Sequence, residues 1–314
     1  MGRGLLPTLR LVARHGLDEL RMKGYFASPQ QMGTQFRPGD VAGYFNDLRH
    51  KRHWTGPFED GVPHLLQHGG MITSPVMVFQ YGLGAWDGWL AEQDSAGRDG
   101  LLAAARWAVD QQQANGGWRA WDHGEPHEAP VNDWSAMAQG QGISVLARAY
   151  LHTTDPRFLD AARCGAACMV RPIADGGTLA STANGPIFEE LPTLRPNGIL
   201  NGWIFALMGL HELLLVDPDG PDVASLHEVL EASLDCLSQQ LPCFDRGYWS
   251  NYDLVGNVAK PFYHDLHIWQ LEALAQTFPR HADSFRRVAD VFRAQQRSRP
   301  KTIRAILAKI AQLR

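Results

Sequence analysis

Paired helix signals that recur at a near-constant interval constrain this chain more than any other feature. Four glycine-rich, weakly charged segments begin the pairs: "SPVMVFQYGLGAWDGWLAE", "WSAMAQGQGISVLARAYLHT", "LNGWIFALMGLHELLLV" and "HDLHIWQLEALAQTF". Each is followed by a more charged, amphipathic partner, respectively "RDGLLAAARWAVDQQQ", "DPRFLDAARCGAACMV", "DVASLHEVLEASLDCLSQQL" and "RHADSFRRVADVFRAQQ". Successive pairs start roughly 60–65 residues apart, the mark of a repeated helical hairpin. Ser74-Pro75 and Asp155-Pro156 each offer a capping side chain followed by a proline suited to the first helical position. Strand signals are scarce. The expected fold class is all-α, an α/α toroid (barrel) of about four helical hairpins over residues 63–296. Its inner helices should start near Pro75, Ala136, Leu200 and His264. Residues 1–62 are expected as an N-terminal extension packed on the toroid, and 297–314 as a basic C-terminal helix.

The less charged first helices belong in an inner ring and the amphipathic second helices in an outer one. Loops ahead of the inner helices are long, polar and aromatic, whereas those joining inner to outer helices are short. The long loops therefore gather on one face, together with the N-termini of the inner helices. Each such N-terminus offers free N–H donors and about half a positive charge. The stretch "MAQGQGISVLARAY" carries Gln139 and Gln141 between Gly140 and Gly142 at such a mouth, and each glycine costs a helix roughly 1 kcal/mol against alanine. Two explanations stand level. The glycines admit a ligand to the backbone, or they permit tight packing within the inner ring.

The composition, 45% hydrophobic and 20% charged with net charge −4, is that of an ordinary soluble globular protein and points away from nucleic acid. No apolar run reaches the roughly 18–20 residues that span a bilayer, and charges interrupt the N-terminus where a secretory signal would be apolar. A cytoplasmic protein is expected. The four cysteines form no CxxC pair, and Cys164 and Cys168 read as small core residues on one helix face. His264 and His267 stand three apart but have no carboxylate partner at short spacing, so no metal is expected. Trp118, Trp121, Trp249 and Trp269 suit either sugar stacking or packing. Tyr44 and Arg49 are further cleft candidates. The terminal stretches "LLPTLRLVARHGLDELR" and "KTIRAILAKIAQLR" are basic and amphipathic, the latter with Ile303, Ile306, Leu307 and Ile310 on one side. They suit docking on the toroid or on a second copy in a homodimer. Peripheral attachment beside a membrane-bound polysaccharide-synthesis complex is the third option.

Taken in order, "GVPHLLQHGG", "FQYGLG", "QQQANGGW", "MAQGQGISVLARAYLHTTD", "FEELPT", "LNGWIFALMGLHEL", "NYDL" and "YHDLHIWQL" resemble the glucuronyl C5-epimerases of heparan sulfate and heparosan biosynthesis. The match runs from about Gly61 to Leu271. Animal members carry a β-rich insertion between "YGLG" and "NGGW", where this chain has only a helix, as in compact bacterial relatives. The resemblance implies an all-helical catalytic domain acting without an organic cofactor on an acidic polysaccharide or oligosaccharide. The reaction inverts the carbon that bears the uronate carboxylate. It needs a base on one face of the sugar, an acid on the other, and cationic or N–H groups on the carboxylate.

Residue by residue, the resemblance implies that Glu190, the second acid of a Glu-Glu-Tyr-Pro motif, is the base. Tyr252 matches the tyrosine of Tyr-Asp-Leu. Tyr263 matches that of Tyr-His-x-x-His-Ile and is the best candidate for the opposing proton carrier. Lys260 stands where the family has an arginine and would pair with the carboxylate. Gln139, Gln141 and Asn201 match positions around the sugar, and Gln67, Tyr81, Trp118, His264 and His267 fall in the same motifs as substrate-binding candidates. Two positions depart from the pattern: Leu191 replaces the tyrosine of Glu-Glu-Tyr-Pro, and Val255 replaces the arginine after Tyr-Asp-Leu. The leading expectation is a C5-epimerase of glucuronate residues in a polysaccharide. A lyase would share the proton abstraction but expel the C4 substituent. A catalytically silent polysaccharide-binding protein would suit the two departures.

Overall fold

Nine α-helices account for most of the residues described by the computed structural model, which are 30–67, 70–120 and 130–312. The N-terminal stretch "LLPTLRLVARHGLDELR" and Trp121 lie outside the described residues. The helices are α1 (Pro75–Glu92), α2 (Ser95–Gln111), α3 (Ala136–Thr153), α4 (Pro156–Met169), α5 (Leu200–Val216), α6 (Val223–Gln240), α7 (Pro261–Thr277), α8 (Ala282–Gln296) and α9 (Arg299–Gln312). Local chemistry sets several of their starts. The Ser74 hydroxyl accepts the Met77 N–H at 3.4 Å, the Ser135 hydroxyl accepts that of Ala138 at 3.4 Å, and Asp155 accepts that of Arg157 at 3.0 Å. α7 begins at Pro261, three residues ahead of His264, because a proline fits the first turn where its missing N–H costs nothing.

The helices form four hairpins, α1–α2, α3–α4, α5–α6 and α7–α8. Their first members pack in succession, α1 on α3, α3 on α5 and α5 on α7. α5 is buried along nearly its whole length, whereas α8 buries only Phe285, Ala289, Phe292 and Gln295. The two glycines at the mouth of α3 serve this packing. A Cβ on Gly140 would lie 2.5 Å from the Phe205 carbonyl oxygen of α5, and one on Gly142 would lie 2.8 Å from both Phe79 and Trp118. Tight helix contact, not ligand access, explains them.

Within the described part of the N-terminal region, residues 43–48 are buried in the core. Residues 42–48 cross the C-terminal half of the first helices, where the Trp86 indole N–H donates to the Ala42 carbonyl and the Tyr44 N–H donates to Asp87. Tyr44 and Phe45 are buried against Phe205. At the other terminus, α9 buries Ala305 and Ile306, with Ala305 beside Tyr248, Trp249, Val258 and Ala259. Ile303 and Leu307 stay exposed. Among the described residues, no helix is long and apolar enough to cross a membrane.

Three β-hairpins were not expected. They are β1 (Phe58–Glu59) with β2 (Val62–Pro63), β3 (Leu65–Gln67) with β4 (Gly70–Ile72), and β5 (Leu179–Thr182) with β6 (Gly185–Phe188), all antiparallel. Strands of two to four residues are too short to show an alternating pattern. The last hairpin packs on α6 and delivers Glu189 and Glu190 to the start of α5. All four cysteines are free; Cys168 and Cys236 are buried, but Cys164 is exposed, so it is not the core residue that its spacing suggested.

Candidate active site

Glu189 and Glu190 leave β6 with opposite duties. Glu189 is fully buried, and both its carboxylate oxygens accept the Gly198 N–H, at 3.1 and 3.2 Å. Its own backbone ties down the mouth of α3, because its carbonyl accepts the Ala136 N–H at 2.9 Å. Burial pushes its carboxyl up to about 8, partly offset by the Gly198 and Asn197 backbone. Glu190 instead turns onto the first turn of α5. Its Oε2 accepts from the Asn201 amide at 3.2 Å. A Cβ on Gly202 would lie 2.3 Å from that oxygen, so only glycine leaves Glu190 this room. Desolvation pushes the Glu190 carboxyl up to about 7, and the Asn201 hydrogen bond offsets part of the rise.

One phenol, Tyr252, lies close enough to this carboxyl to feel its charge, and a second, Tyr263, packs on Tyr252. Tyr252 lies on the loop between α6 and α7, and Tyr263 in the first turn of α7. Their ring centroids are 4.8 Å apart at 59°, and their side chains are hydrogen-bonded to each other. The Tyr252 phenol is pushed well above its ordinary value by burial first, then by Glu190 and Tyr263. Backbone bonds hold Tyr252 from both sides: its N–H donates to Asn257 at 2.6 Å, and its carbonyl accepts the Leu200 N–H at 3.0 Å. Lys260 occupies the cap position directly ahead of α7. The structure thus brings Glu190, Asn201, Tyr252 and Tyr263 together at the N-terminal ends of α5 and α7. A carboxyl near neutrality with a phenol nearby is a combination that acid–base chemistry can use.

Other candidates from the sequence have different places. Gln139 spends its amide on the Trp118 backbone, accepting its N–H at 3.1 Å and donating to its carbonyl at 3.0 Å. Trp118 is fully buried and its indole N–H donates to the Ala108 carbonyl at 2.7 Å, which leaves no ring face for a sugar. Gln141 is fully buried and its amide has no hydrogen-bond partner. Tyr81 packs against Phe58, with ring centroids 5.3 Å apart, on the side of α1 that meets α2. Gln67 ends β3 opposite Gly70. His264 and His267 are both fully buried. Tyr44 is buried in the core and Arg49 is paired with Asp47 at 2.7 Å, so neither lines the cleft. Trp249 stacks on His264, and Trp269 lies under Arg293. Among the described residues, no group of three or more His, Cys, Asp or Glu is placed to hold a metal ion. Sequence reasoning missed Gly202, whose signal was its position directly after Asn201 at a helix start.

With this geometry in view, a family model and a named relative point to one family. A family model described as D-glucuronyl C5-epimerase C-terminus matches residues 113–293, which include Glu190, Asn201, Tyr252 and Tyr263. A D-glucuronyl C5-epimerase of Caenorhabditis elegans is 32% identical over 199 residues, 56% of this chain and 32% of that protein. An uncharacterized protein of Methanocaldococcus jannaschii is 26% identical over 140 residues, 43% of this chain and 44% of its own length. The chain thus spans about a third of the nematode protein and less than half of the other. The chain belongs to the D-glucuronyl C5-epimerase family.

Proposed function

We propose that the chain inverts C5 of D-glucuronate residues in an acidic polysaccharide by removing a proton from one face and returning one to the other. The observation that carries this reading is the pairing of a carboxyl raised to about 7, Glu190, with the coupled phenols Tyr252 and Tyr263. Glu190 takes the C5 proton, and the Tyr263 phenol supplies one from the opposite side, with Tyr252 as its hydrogen-bonded neighbour. Lys260 and the N–H groups opening α7 meet the uronate carboxylate and lower the cost of the enolate-like intermediate. In this reading the succession α1, α3, α5 and α7 closes into an α/α toroid over residues 63–296. Family membership and the convergence of three matched residues support the proposal. Leu191 and the exposed Val255, where the resemblance implies a tyrosine and an arginine, suggest a substrate other than heparosan itself.

Incubation with glucuronate polymers in D₂O tests it. Deuterium at C5 of intact chains, with iduronate formed, is the expected result. An unsaturated uronate with cleaved chains would make the protein a lyase, and binding without either product would make it a silent binder. Tyr263→Phe keeps the ring and removes only the hydroxyl, so kcat should fall about 10²–10⁴-fold with KM little changed. Inversion at the wild-type rate in this variant would remove Tyr263 from the mechanism.

A further inference from the structure

We propose that Ser250, His264 and His267 form a positioning pin that holds the Tyr252 and Tyr263 hydroxyls in register with Glu190, a role that rests on the epimerase reading. The two phenols sit on different elements, a loop and a helix, so something must fix one against the other. Ser250 lies two residues before Tyr252, and His264 directly follows Tyr263. The Ser250 N–H donates to His264 Nδ1 at 3.1 Å. The Ser250 hydroxyl lies 2.8 Å from the same nitrogen and 3.1 Å from His267 Nδ1. One serine thereby joins the loop to two successive turns of α7.

His264 is locked on every side. Its Nδ1 receives a backbone N–H, so its proton sits on Nε2 and is donated to the Phe292 carbonyl of α8 at 3.0 Å. The ring stacks on Trp249, with centroids 3.7 Å apart at 13°, and the Trp249 indole N–H donates to the Ala259 carbonyl at 3.0 Å. Burial pushes the imidazole down to about 3, so it stays neutral wherever the protein works. With both nitrogens used and no exposed surface, His264 has nothing to offer a ligand. The pin also reaches Glu190. Tyr252 accepts the Leu200 N–H, and the next residue, Asn201, holds the Glu190 carboxyl. The path from Tyr263 through His264, Ser250, Tyr252 and Leu200 to Asn201 and Glu190 is continuous in covalent and hydrogen bonds. A misplacement of about 1 Å between reacting groups is enough to cost 10²-fold in rate.

Ser250→Ala in the full chain is the test, because it keeps the backbone donor to His264 and removes the hydroxyl that meets both His264 and His267. With a glucuronate polymer in D₂O, kcat for inversion should fall roughly 10- to 100-fold at unchanged KM. The ratio of C5 deuterium exchange to inversion should rise, because Glu190 keeps its place while the opposite carrier loses register. A Ser250→Ala protein with the wild-type kcat and ratio would overturn the pin, as would a loss of rate that only tracks a smaller folded fraction by circular dichroism. A second readout is independent of activity: in ¹³Cζ-tyrosine spectra, Tyr252 should ionise at lower pH in Ser250→Ala than in wild type as its contact with Tyr263 loosens. An unchanged Tyr252 titration would overturn the pin too. Absence of both exchange and inversion in the wild type would sink the epimerase reading instead, and the tyrosine titration would still decide the pin.

Discussion

At the C-terminal ends of the first helices, Arg148 is fully buried with its charge met on several sides. It donates to both oxygens of Glu212 at 2.7 and 2.8 Å, to the Ser144 carbonyl at 2.9 Å and to the Gly43 carbonyl at 3.0 Å. It also lies 5.1 Å from the centre of the Tyr44 ring. At the N-terminal ends of the same bundle, the Glu190 carboxyl has an amide donor in Asn201 and the Tyr252 phenol nearby. One buried polar cluster is compensated, and the other is held short of compensation. The first fixes a strand of the N-terminal region across the bundle. The second keeps a carboxyl near neutrality. Neither burial nor a raised carboxyl marks a functional site by itself, since Glu189 and Asp87 are raised as well.

Breaking the compensated cluster should have the largest effect. Arg148→Met leaves Glu212 buried without its partner and should destabilise the fold by about 3–5 kcal/mol in urea denaturation. Adding Glu212→Leu removes the stranded charge as well, and the double variant should recover most of that loss. If Arg148→Met unfolds at the wild-type urea concentration, the cluster is not what holds residues 42–48 in place.

The uncompensated cluster should respond the other way. Glu190→Gln deletes the charge and keeps the shape, so kcat should fall by about 10²–10⁴-fold. Its thermal midpoint at pH 7 should stay level or rise, because the cost of a desolvated carboxylate disappears. A drop in stability like that of Arg148→Met would erase the contrast between the two ends.

The pH dependence sharpens the comparison, since each end holds a raised carboxyl. Asp87 accepts the Tyr44 N–H at 3.0 Å, and burial pushes it up to about 7 from an ordinary 3.8, with Arg148 opposing. Glu190 rises from 4.5 to about 7. Each takes up a proton on folding, so its contribution to stability is complete below the unfolded pKa and is lost as pH rises through about 7. Each should contribute a slope of up to ~1.4 kcal/mol per pH unit between roughly pH 4 and 7. Asp87→Asn and Glu190→Gln should each flatten the measured stability over that window, while Glu189, raised from 4.5 to about 8, leaves a residual slope. Only Glu190→Gln should also abolish the acid limb of kcat/KM, where an ionised base is required.

How much of this the sequence could show follows the range of each interaction. The starts of α1, α3 and α5 at Pro75, Ala136 and Leu200 were legible, because caps and helix periodicity are written within a few neighbouring residues. The hairpin carrying Glu189 was not, since four-residue strands leave too little pattern. Arg148 and Glu212 each sit in an apolar helix, and their pairing spans 64 positions, which no local rule reaches. At the site, motif order singled out Glu190, Tyr252 and Tyr263, but motif membership could not separate residues that face the cleft from those that hold it up. Gln139, Trp118 and His264 lie in matched motifs, and their polar atoms are spent on backbone.

Tyr81 should give the smallest effect, and it tests where the site stops. It falls in the matched stretch "FQYGLG" and was expected at the substrate. Its ring instead meets Phe58, and its hydroxyl lies 3.0 Å from where a Cβ on Gly100 of α2 would stand. One contact belongs to β1 and the other to α2, and neither to the stripe of α5 and α7 that carries Asn201 and Tyr263. Tyr81→Phe keeps the ring packing, so stability should stay within about 0.5 kcal/mol of wild type. Turnover and KM on a long glucuronate polymer should both stay within about twofold, because the hydroxyl touches no group that handles the C5 proton. A rise in KM confined to long chains would mean that the polymer runs across β1 and the α1 side of the bundle. The site would then be a groove extending well beyond the cluster around Glu190, and the exposed Phe58 beside Tyr81 would be the next position to substitute.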